Sequence, residues 1–195
     1  MKVLILDVYP KVPYRISKDQ NGGYGTANDY GNGIVTNLLK RFVAMSVDWP
    51  PVYSMYCASV LREKAHDVEY RRSYPDRNDY DLIIVPSSIV AHETEIAAII
   101  KMTQMGMPTV AIGPFATNFS QAYLKAGASV IAGEPEMYFA CEDLDLDFIK
   151  KRPSLLQVEQ TKSLDDLPYP AWDITFEELN TIHRFLAVSG PTIPI

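Results

Sequence analysis

Four short runs along the chain are apolar without interruption, and we predict that each forms a buried parallel strand. Strands that helices cover on both faces read in this continuous way, whereas a strand with one exposed face alternates between apolar and polar residues. Val68-Glu69-Tyr70 alternates, which predicts a strand at the edge of the sheet. The four continuous runs are Val3–Leu6, Leu82–Val85, Thr109–Ile112 and Ser129–Ala132.

Segments with the helical spacing of apolar residues lie between these strands. Strands and helices that alternate along a chain, joined by right-handed crossovers, build a doubly wound parallel sheet. The pattern therefore predicts an α/β fold of the flavodoxin-like (Rossmann-like) type, with five strands in the order 2-1-3-4-5. In this order a ligand lies at the carboxyl edge, between the first and third strands. The predicted helices are Val52–Lys64, Glu93–Met105, Asn118–Ala126 and Glu136–Ile149.

A long insertion interrupts this pattern after the first strand. Residues 11–51 contain two glycine-rich stretches and an amphipathic stretch at 34–45. A connection of this length in a compact α/β domain is usually functional or disordered. Because this one leaves from the ligand edge, we interpret it as a cap over the site. We place the domain at residues 1–152 and expect that truncation after residue 152 would leave its core intact. The remaining residues, 153–195, are predicted to contain a linker and one further strand at 184–189.

Composition and charge restrict the classes of partner. The chain has 195 residues and a net charge of −6. An acidic protein without a basic patch is not suited to a nucleic-acid backbone, and no apolar run approaches the ~20 residues that span a membrane. Cys57 and Cys141 have no cysteine or histidine nearby at metal-ligand spacing. We therefore expect reduced thiols, no metal site, no nucleic-acid or membrane partner, and a cytoplasmic location.

Two glycines that follow apolar runs are the most specific chemical signal. Gly113 comes after the run that ends at Ile112, and Gly133 comes after the run that ends at Ala132. Glycine at the carboxyl end of a buried strand lets a ligand approach the backbone closely. The residues after the third run can either hydrogen-bond such a ligand or cap the next helix, and the sequence leaves both roles open. They are Ser87, Ser88 and Ile89.

Residues 1–150 resemble the cobalamin-binding domain at the N-terminus of cobalamin-dependent radical S-adenosylmethionine enzymes. The segments that carry this resemblance are Asp81–Ser88, Pro108–Thr117 and Ala126–Glu136. The resemblance implies that Ser87 or Ser88, together with Gly113, borders the nucleotide tail of cobalamin. Ile112 stands where the family has the first glycine of a pair. On the same basis we expect cofactor contacts from the neighbouring residues Ile89, Pro114, Phe115, Gly133, Glu134 and Pro135.

The segment after the first strand departs from a related pattern. Methionine-synthase-like domains carry Asp-x-His-x-x-Gly there, with a histidine that ligates cobalt, whereas this chain has Asp7-Val8-Tyr9-Pro10-Lys11-Val12. The resemblance therefore implies cobalamin without a protein histidine ligand, with Tyr9 and Pro10 beside the lower face of the corrin. We expect that replacing Gly113 by tryptophan would block the tail without disturbing the fold.

The last part of the chain is similar to the entrance of a catalytic barrel. Leu164–Asp173 resembles the linker that leads into it, and Phe185–Ile195 resembles its first strand. The CxxxCxxC motif for the iron–sulfur cluster would come next. The resemblance thus places the cluster and S-adenosylmethionine in a missing C-terminal part, and the present chain is expected to be non-catalytic. Its expected partners are cobalamin, the missing barrel and another copy of the chain, bound through the C-terminal segment 153–195. The alternative is a non-catalytic flavodoxin-like domain that binds a different ligand or partner.

Overall fold

A six-stranded parallel sheet forms the centre of the fold, in the order β2-β1-β3-β4-β5-β6. The structure is a computed structural model that describes residues 1–10, 18, 31–39, 50–143, 145–157, 163–176 and 178. The predicted α/β fold and its strand order are confirmed, and a sixth strand extends the sheet beyond β5. The strands are β1 (Lys2–Leu6), β2 (Asp67–Arg71), β3 (Leu82–Pro86), β4 (Thr109–Ile112), β5 (Ser129–Ile131) and β6 (Leu155–Leu156).

Helices cover both faces of this sheet. The helix predicted at Asn118–Ala126 is interrupted at Phe119, and the helix predicted at Glu136–Ile149 is interrupted between Cys141 and Leu146. Pro114 and Pro135 stand at the first helical positions after the two glycine turns, where a missing N–H costs nothing. The helices are α1 (residues 34–39), α2 (Val52–Glu63), α3 (His92–Gln104), α4 (Pro114–Asn118), α5 (Ser120–Ala126), α6 (Pro135–Cys141) and α7 (Leu146–Lys151).

Each central strand contributes to two apolar cores, because successive side chains point to opposite faces of a sheet. On one face, Ile5 and Ile84 pack with residues of α2 and α6. On the other, Leu4 and Ile83 pack with residues of α3 and α5. This double burial explains why the strands read as continuous apolar runs rather than as alternating ones.

Part of the chain beyond residue 152 packs against the domain. The strand β6 pairs with β5 in parallel, so the sheet continues past the predicted boundary. The Ala171 N–H donates to the Met55 carbonyl at 3.1 Å, and Arg62 pairs with Asp173 at 2.8 Å. Trp172 packs against the core that contains α2.

Two predictions fall on residues that the structure does not describe. Within the insertion, only Lys18, residues 31–39 and residues 50–51 are described, and the predicted cap otherwise lies outside them. The strand predicted at 184–189 also lies outside the described residues. Among the described residues, no helix combines the length and apolar character needed to cross a bilayer.

Candidate functional site

The two glycine turns adopt backbone conformations that favour glycine. Gly113, directly after β4, has φ of 100°, and Gly133, after β5, has φ of 90°. A residue with a Cβ atom is strained in this left-handed region by about 1–2 kcal/mol. Both turns lie at the carboxyl edge of the sheet, where parallel α/β proteins bind ligands.

Thr117 ties the two turns together. Its hydroxyl donates to the Gly113 carbonyl at 3.0 Å and accepts the Gly133 N–H at 3.1 Å. Thr117 follows Gly113 by one helical turn, and threonine on a helix often bonds back to the carbonyl four residues earlier. That spacing could have identified Thr117 from the sequence. The link to Gly133 could not be read in this way, because it joins two separate strand–helix units.

A pocket of about 200 Å³ lies between these turns and the start of α2. Its walls include the aromatic ring of Tyr53 and the rings of two prolines. Five of the predicted site residues line it, and sequence reasoning missed Tyr53 and Thr117. The lining residues are Tyr53, Gly113, Pro114, Thr117, Gly133, Glu134 and Pro135.

Two larger grooves lie away from the glycine turns. One, of about 580 Å³, runs along β2 beside Ile174 and Glu178. The other, of about 560 Å³, is lined by Met1 and His66, which precede β1 and β2, and so lies at the amino end of the sheet. Because ligands of doubly wound sheets bind outside the carboxyl ends of the strands, the smaller pocket is the better candidate.

Tyr53 stands directly over Gly113. The Tyr53 hydroxyl donates to the Ser87 carbonyl at 3.3 Å, and a Cβ atom built on Gly113 would lie 2.6 Å from that hydroxyl oxygen. Gly113 is itself buried. Tryptophan at this position would meet Tyr53 as well as backbone strain, so we now expect it to cost stability.

The two serines after β3 hold the protein's own backbone. The Ser87 hydroxyl accepts the Ala116 N–H at 2.8 Å. The Ser88 hydroxyl donates to Glu95 at 3.1 Å and accepts the Ala91 N–H, just before α3, at 3.2 Å. Both side chains are fully buried. Neither serine is the N-cap of α3, which is Ala91 and has no side-chain cap, and the contact of either serine with a ligand stays a prediction.

The remaining predicted site residues lie outside the 200 Å³ pocket. Phe115 stacks on Phe119, with 4.8 Å between the ring centroids, and packs against the second core. Ile89 is half-buried, and its carbonyl contacts the Nδ1 atom of His92 at 2.7 Å. Tyr9 and Pro10 are half-buried beyond the end of β1. Their predicted contacts with a cofactor stay predictions.

A buried ion network occupies the position between the ends of β1 and β3. Asp7, Lys18 and Glu95 have fully buried side chains, and we name these three residues the switch-point network. The Lys18 ammonium lies 3.0 Å from Asp7 Oδ1 and 3.1 Å from Glu95 Oε1, and it donates to the Pro86 carbonyl at 3.0 Å. Sequence reasoning missed this network, because nothing local to Lys18 indicates that it is buried.

Three tyrosines complete the switch-point network. Tyr9 and Tyr70 donate to Asp7 Oδ2 at 2.9 and 2.6 Å, and Tyr123 donates to Glu95 Oε2 at 2.7 Å. Burial and the charge of Asp7 raise the pKa of Tyr9 and Tyr70 well above the usual range, which keeps both as donors. Burial lowers the pKa of Lys18, but the charges of Glu95 and Asp7 outweigh it and leave that pKa raised.

Two carboxyl groups flank Pro135 in the sequence, and one of them lines the pocket. Glu134 lines it and is exposed, whereas Glu136 is buried and its Oε2 atom has no hydrogen-bond partner among the described residues. Burial and the neighbouring Glu134 raise the pKa of Glu136 to about 7. This buried carboxyl group therefore changes its charge near neutral pH.

No family model and no curated protein matches this chain.

Proposed function

We propose that the chain is the cobalamin-binding domain of a cobalamin-dependent radical S-adenosylmethionine enzyme. The observation that carries the proposal is the open pocket between the two glycine turns, at the carboxyl edge of a doubly wound parallel sheet. The resemblance of residues 81–88, 108–117 and 126–136 to that family supports it from the sequence.

The size of the pocket fits one part of such a ligand. Pockets that enclose a whole drug-sized ligand measure roughly 300–1,000 Å³, whereas this one measures about 200 Å³. It has room for a single ring system, such as the base of a nucleotide tail, and a macrocycle would lie outside it. A Cβ atom on Gly133 would have no neighbour within 4 Å, so the backbone there is open to a ligand.

Each lining residue has a distinct part in this proposal. Thr117 holds the two turns at a fixed spacing through its two hydrogen bonds. The Tyr53 ring and the two prolines shield a bound ring from water. Ser87 and Ser88 fix the backbone beneath the site, since their hydroxyls already have protein partners.

Cobalamin would supply methyl transfer or other radical chemistry in the parent enzyme, while the protein places it. We propose that the iron–sulfur cluster and S-adenosylmethionine belong to a catalytic barrel outside this chain. A cytoplasmic location agrees with Cys57 and Cys141, which do not form a disulfide bond.

Titration with hydroxocobalamin tests the proposal. We expect the folded chain to change the visible spectrum of the cofactor and to co-elute with it in gel filtration. Gly133→Leu should weaken binding at least tenfold by filling the pocket. Gly106→Leu is the matched control, because Gly106 also has positive φ, at 79°, with its nearest neighbour 3.9 Å from a Cβ atom, but lies after α3, away from the pocket.

Two outcomes would contradict the proposal at different levels. A folded chain that gives neither a spectral change nor co-elution overturns cobalamin binding itself. If Gly133→Leu and Gly106→Leu weaken binding equally, the chain does bind cobalamin, but not in this pocket.

The second candidate is a flavodoxin-like domain that binds a different ligand or a partner. The position of Tyr53 favours it, because the Tyr53 hydroxyl fills the space between Ser87 and Gly113 through which the tail would pass. Tyr53→Ala separates the two candidates. It should weaken hydroxocobalamin binding if the ring shields a bound base, and it should leave the absence of binding unchanged if the domain has another ligand.

A further inference from the structure

The switch-point network surrounds one ammonium group with three acceptors. The Lys18 Nζ atom has the Pro86 carbonyl at 3.0 Å, Asp7 Oδ1 at 3.0 Å and Glu95 Oε1 at 3.1 Å. An ammonium group on an alkyl chain has three N–H donors and no acceptor. The number of acceptors thus equals the number of donors, at a position that solvent does not reach.

Each carboxylate of the network turns one oxygen to the ammonium group, and on Glu95 that oxygen also accepts the Ser88 hydroxyl at 3.1 Å. Asp7 Oδ2 receives the hydroxyls of Tyr9 and Tyr70, and Glu95 Oε2 receives the hydroxyl of Tyr123 and the Ser88 N–H. Apart from Lys18, Asp7 Oδ1 has no partner among the described residues, so the ion pair with Lys18 is its compensation. The surrounding donors hold the two carboxylates in place independently of Lys18.

We propose that the position between β1 and β3 is a binding site for a primary alkylammonium group, which Lys18 fills from within the chain. A neutral group in its place would leave two buried carboxylates unpaired, which is strongly unfavourable. A quaternary ammonium group offers no N–H donor to the three acceptors. The site therefore selects its occupant by charge and by the number of donors.

This inference goes beyond the proposed function, because it concerns a different part of the carboxyl edge. The phosphate of a nucleotide tail is an anion and cannot replace the Lys18 ammonium beside Asp7 and Glu95. Cobalamin bound at the glycine turns should therefore leave Lys18 buried. A ligand that displaces Lys18 from between β1 and β3 must carry its own primary ammonium group.

Chemical rescue of Lys18→Ala tests the site. The variant keeps Cβ and lacks three methylene groups and the ammonium, which n-propylammonium supplies. We expect the thermal midpoint of the variant to fall on the order of 10 °C. At constant ionic strength, n-propylammonium should then raise the midpoint in a saturable way, whereas n-propanol and tetramethylammonium should not.

Lys64→Ala is the matched control. The Lys64 ammonium also contacts a carbonyl and a carboxylate, those of Glu142 and Asp143, both at 2.9 Å. Asp143 is almost fully exposed, however. Exposed ion pairs contribute about 0–1 kcal/mol to stability, so Lys64→Ala should change the midpoint little and should show no rescue by n-propylammonium.

The proposal is overturned if Lys18→Ala folds and n-propylammonium has no more effect than n-propanol. If the variant does not fold alone, recovery of the native circular dichroism spectrum with n-propylammonium, and not with n-propanol, supports the site; no recovery overturns it.

A second measurement uses the unmodified chain, with acetylation of lysines followed by mass spectrometry. Lys18 should react at least tenfold more slowly than Lys64, with and without hydroxocobalamin, and equal rates would reject the buried site.

Discussion

Replacing Gly113 by alanine tests whether the turn after β4 is fixed by its contact with Tyr53. Gly113 and Gly133 have similar φ values, 100° and 90°, but different surroundings. A Cβ atom on Gly113 would lie 2.6 Å from the Tyr53 hydroxyl oxygen and 2.8 Å from the ring carbon that carries it. A Cβ atom on Gly133 would meet nothing within 4 Å. Gly133→Ala is therefore the control for backbone strain alone.

The two substitutions should differ by the cost of displacing Tyr53. Left-handed backbone costs a residue with a Cβ atom about 1–2 kcal/mol, and this is the whole effect expected for Gly133→Ala. Forcing an extra carbon into a packed site costs roughly a further 1–3 kcal/mol. The free energy of unfolding should thus fall by about 2–5 kcal/mol in Gly113→Ala.

Urea unfolding followed by circular dichroism measures both values, and a double-mutant cycle with Tyr53→Leu isolates the contact. We expect Gly113→Ala to cost about 1–3 kcal/mol less in the Tyr53→Leu background, because the obstructing hydroxyl and ring are gone. Tyr53→Leu should not change the cost of Gly133→Ala by a comparable amount. Equal costs for the two glycine substitutions, or no coupling to Tyr53, would refute the placement of this side chain over the turn.

Three further predictions concern the same domain. Thr117→Val should lower the free energy of unfolding by about 0.5–1.5 kcal/mol for each hydrogen bond lost, since the exposed Gly133 N–H can bond to water instead, and Thr117→Ser should lose less; equal losses in urea unfolding would contradict the role of the hydroxyl. The pKa of Glu136 is raised in the folded state, so its contribution to stability is present below about pH 4.5 and is lost as the pH rises through about 7. Glu136→Gln should therefore gain up to about 3 kcal/mol over the unmodified chain at pH 8 and nothing at pH 4.5, and urea unfolding at the two pH values checks the sign. A chain that ends at Arg152 should melt several degrees below one that ends at Glu178, because it loses β6 and the Ala171 contact with α2; equal midpoints would support the domain boundary at residue 152 that the sequence predicts.

The sequence by itself determined the layers of this protein and the edge at which a ligand would bind. Strands buried on both faces must be apolar throughout, so Val3–Leu6 and Leu82–Val85 could be recognised without any knowledge of their neighbours. Gly113 and Gly133 could be recognised for a similar reason, since a backbone conformation with positive φ restricts the residue locally.

Tertiary structure alone decided which side chains meet at that edge. Tyr53 and Ser87 are 34 positions apart, and Lys18 and Pro86 are 68 positions apart. No local pattern in the sequence distinguishes a tyrosine or lysine that makes such a contact from one that faces water. The same holds for Leu155–Leu156, which is too short to show a strand pattern and becomes β6 only because the exposed edge of β5 offers it unpaired backbone groups. Local conformation and burial restrict several neighbouring residues at once, so they produce a periodic pattern in the sequence. A contact between distant segments restricts only single residues and produces no such pattern.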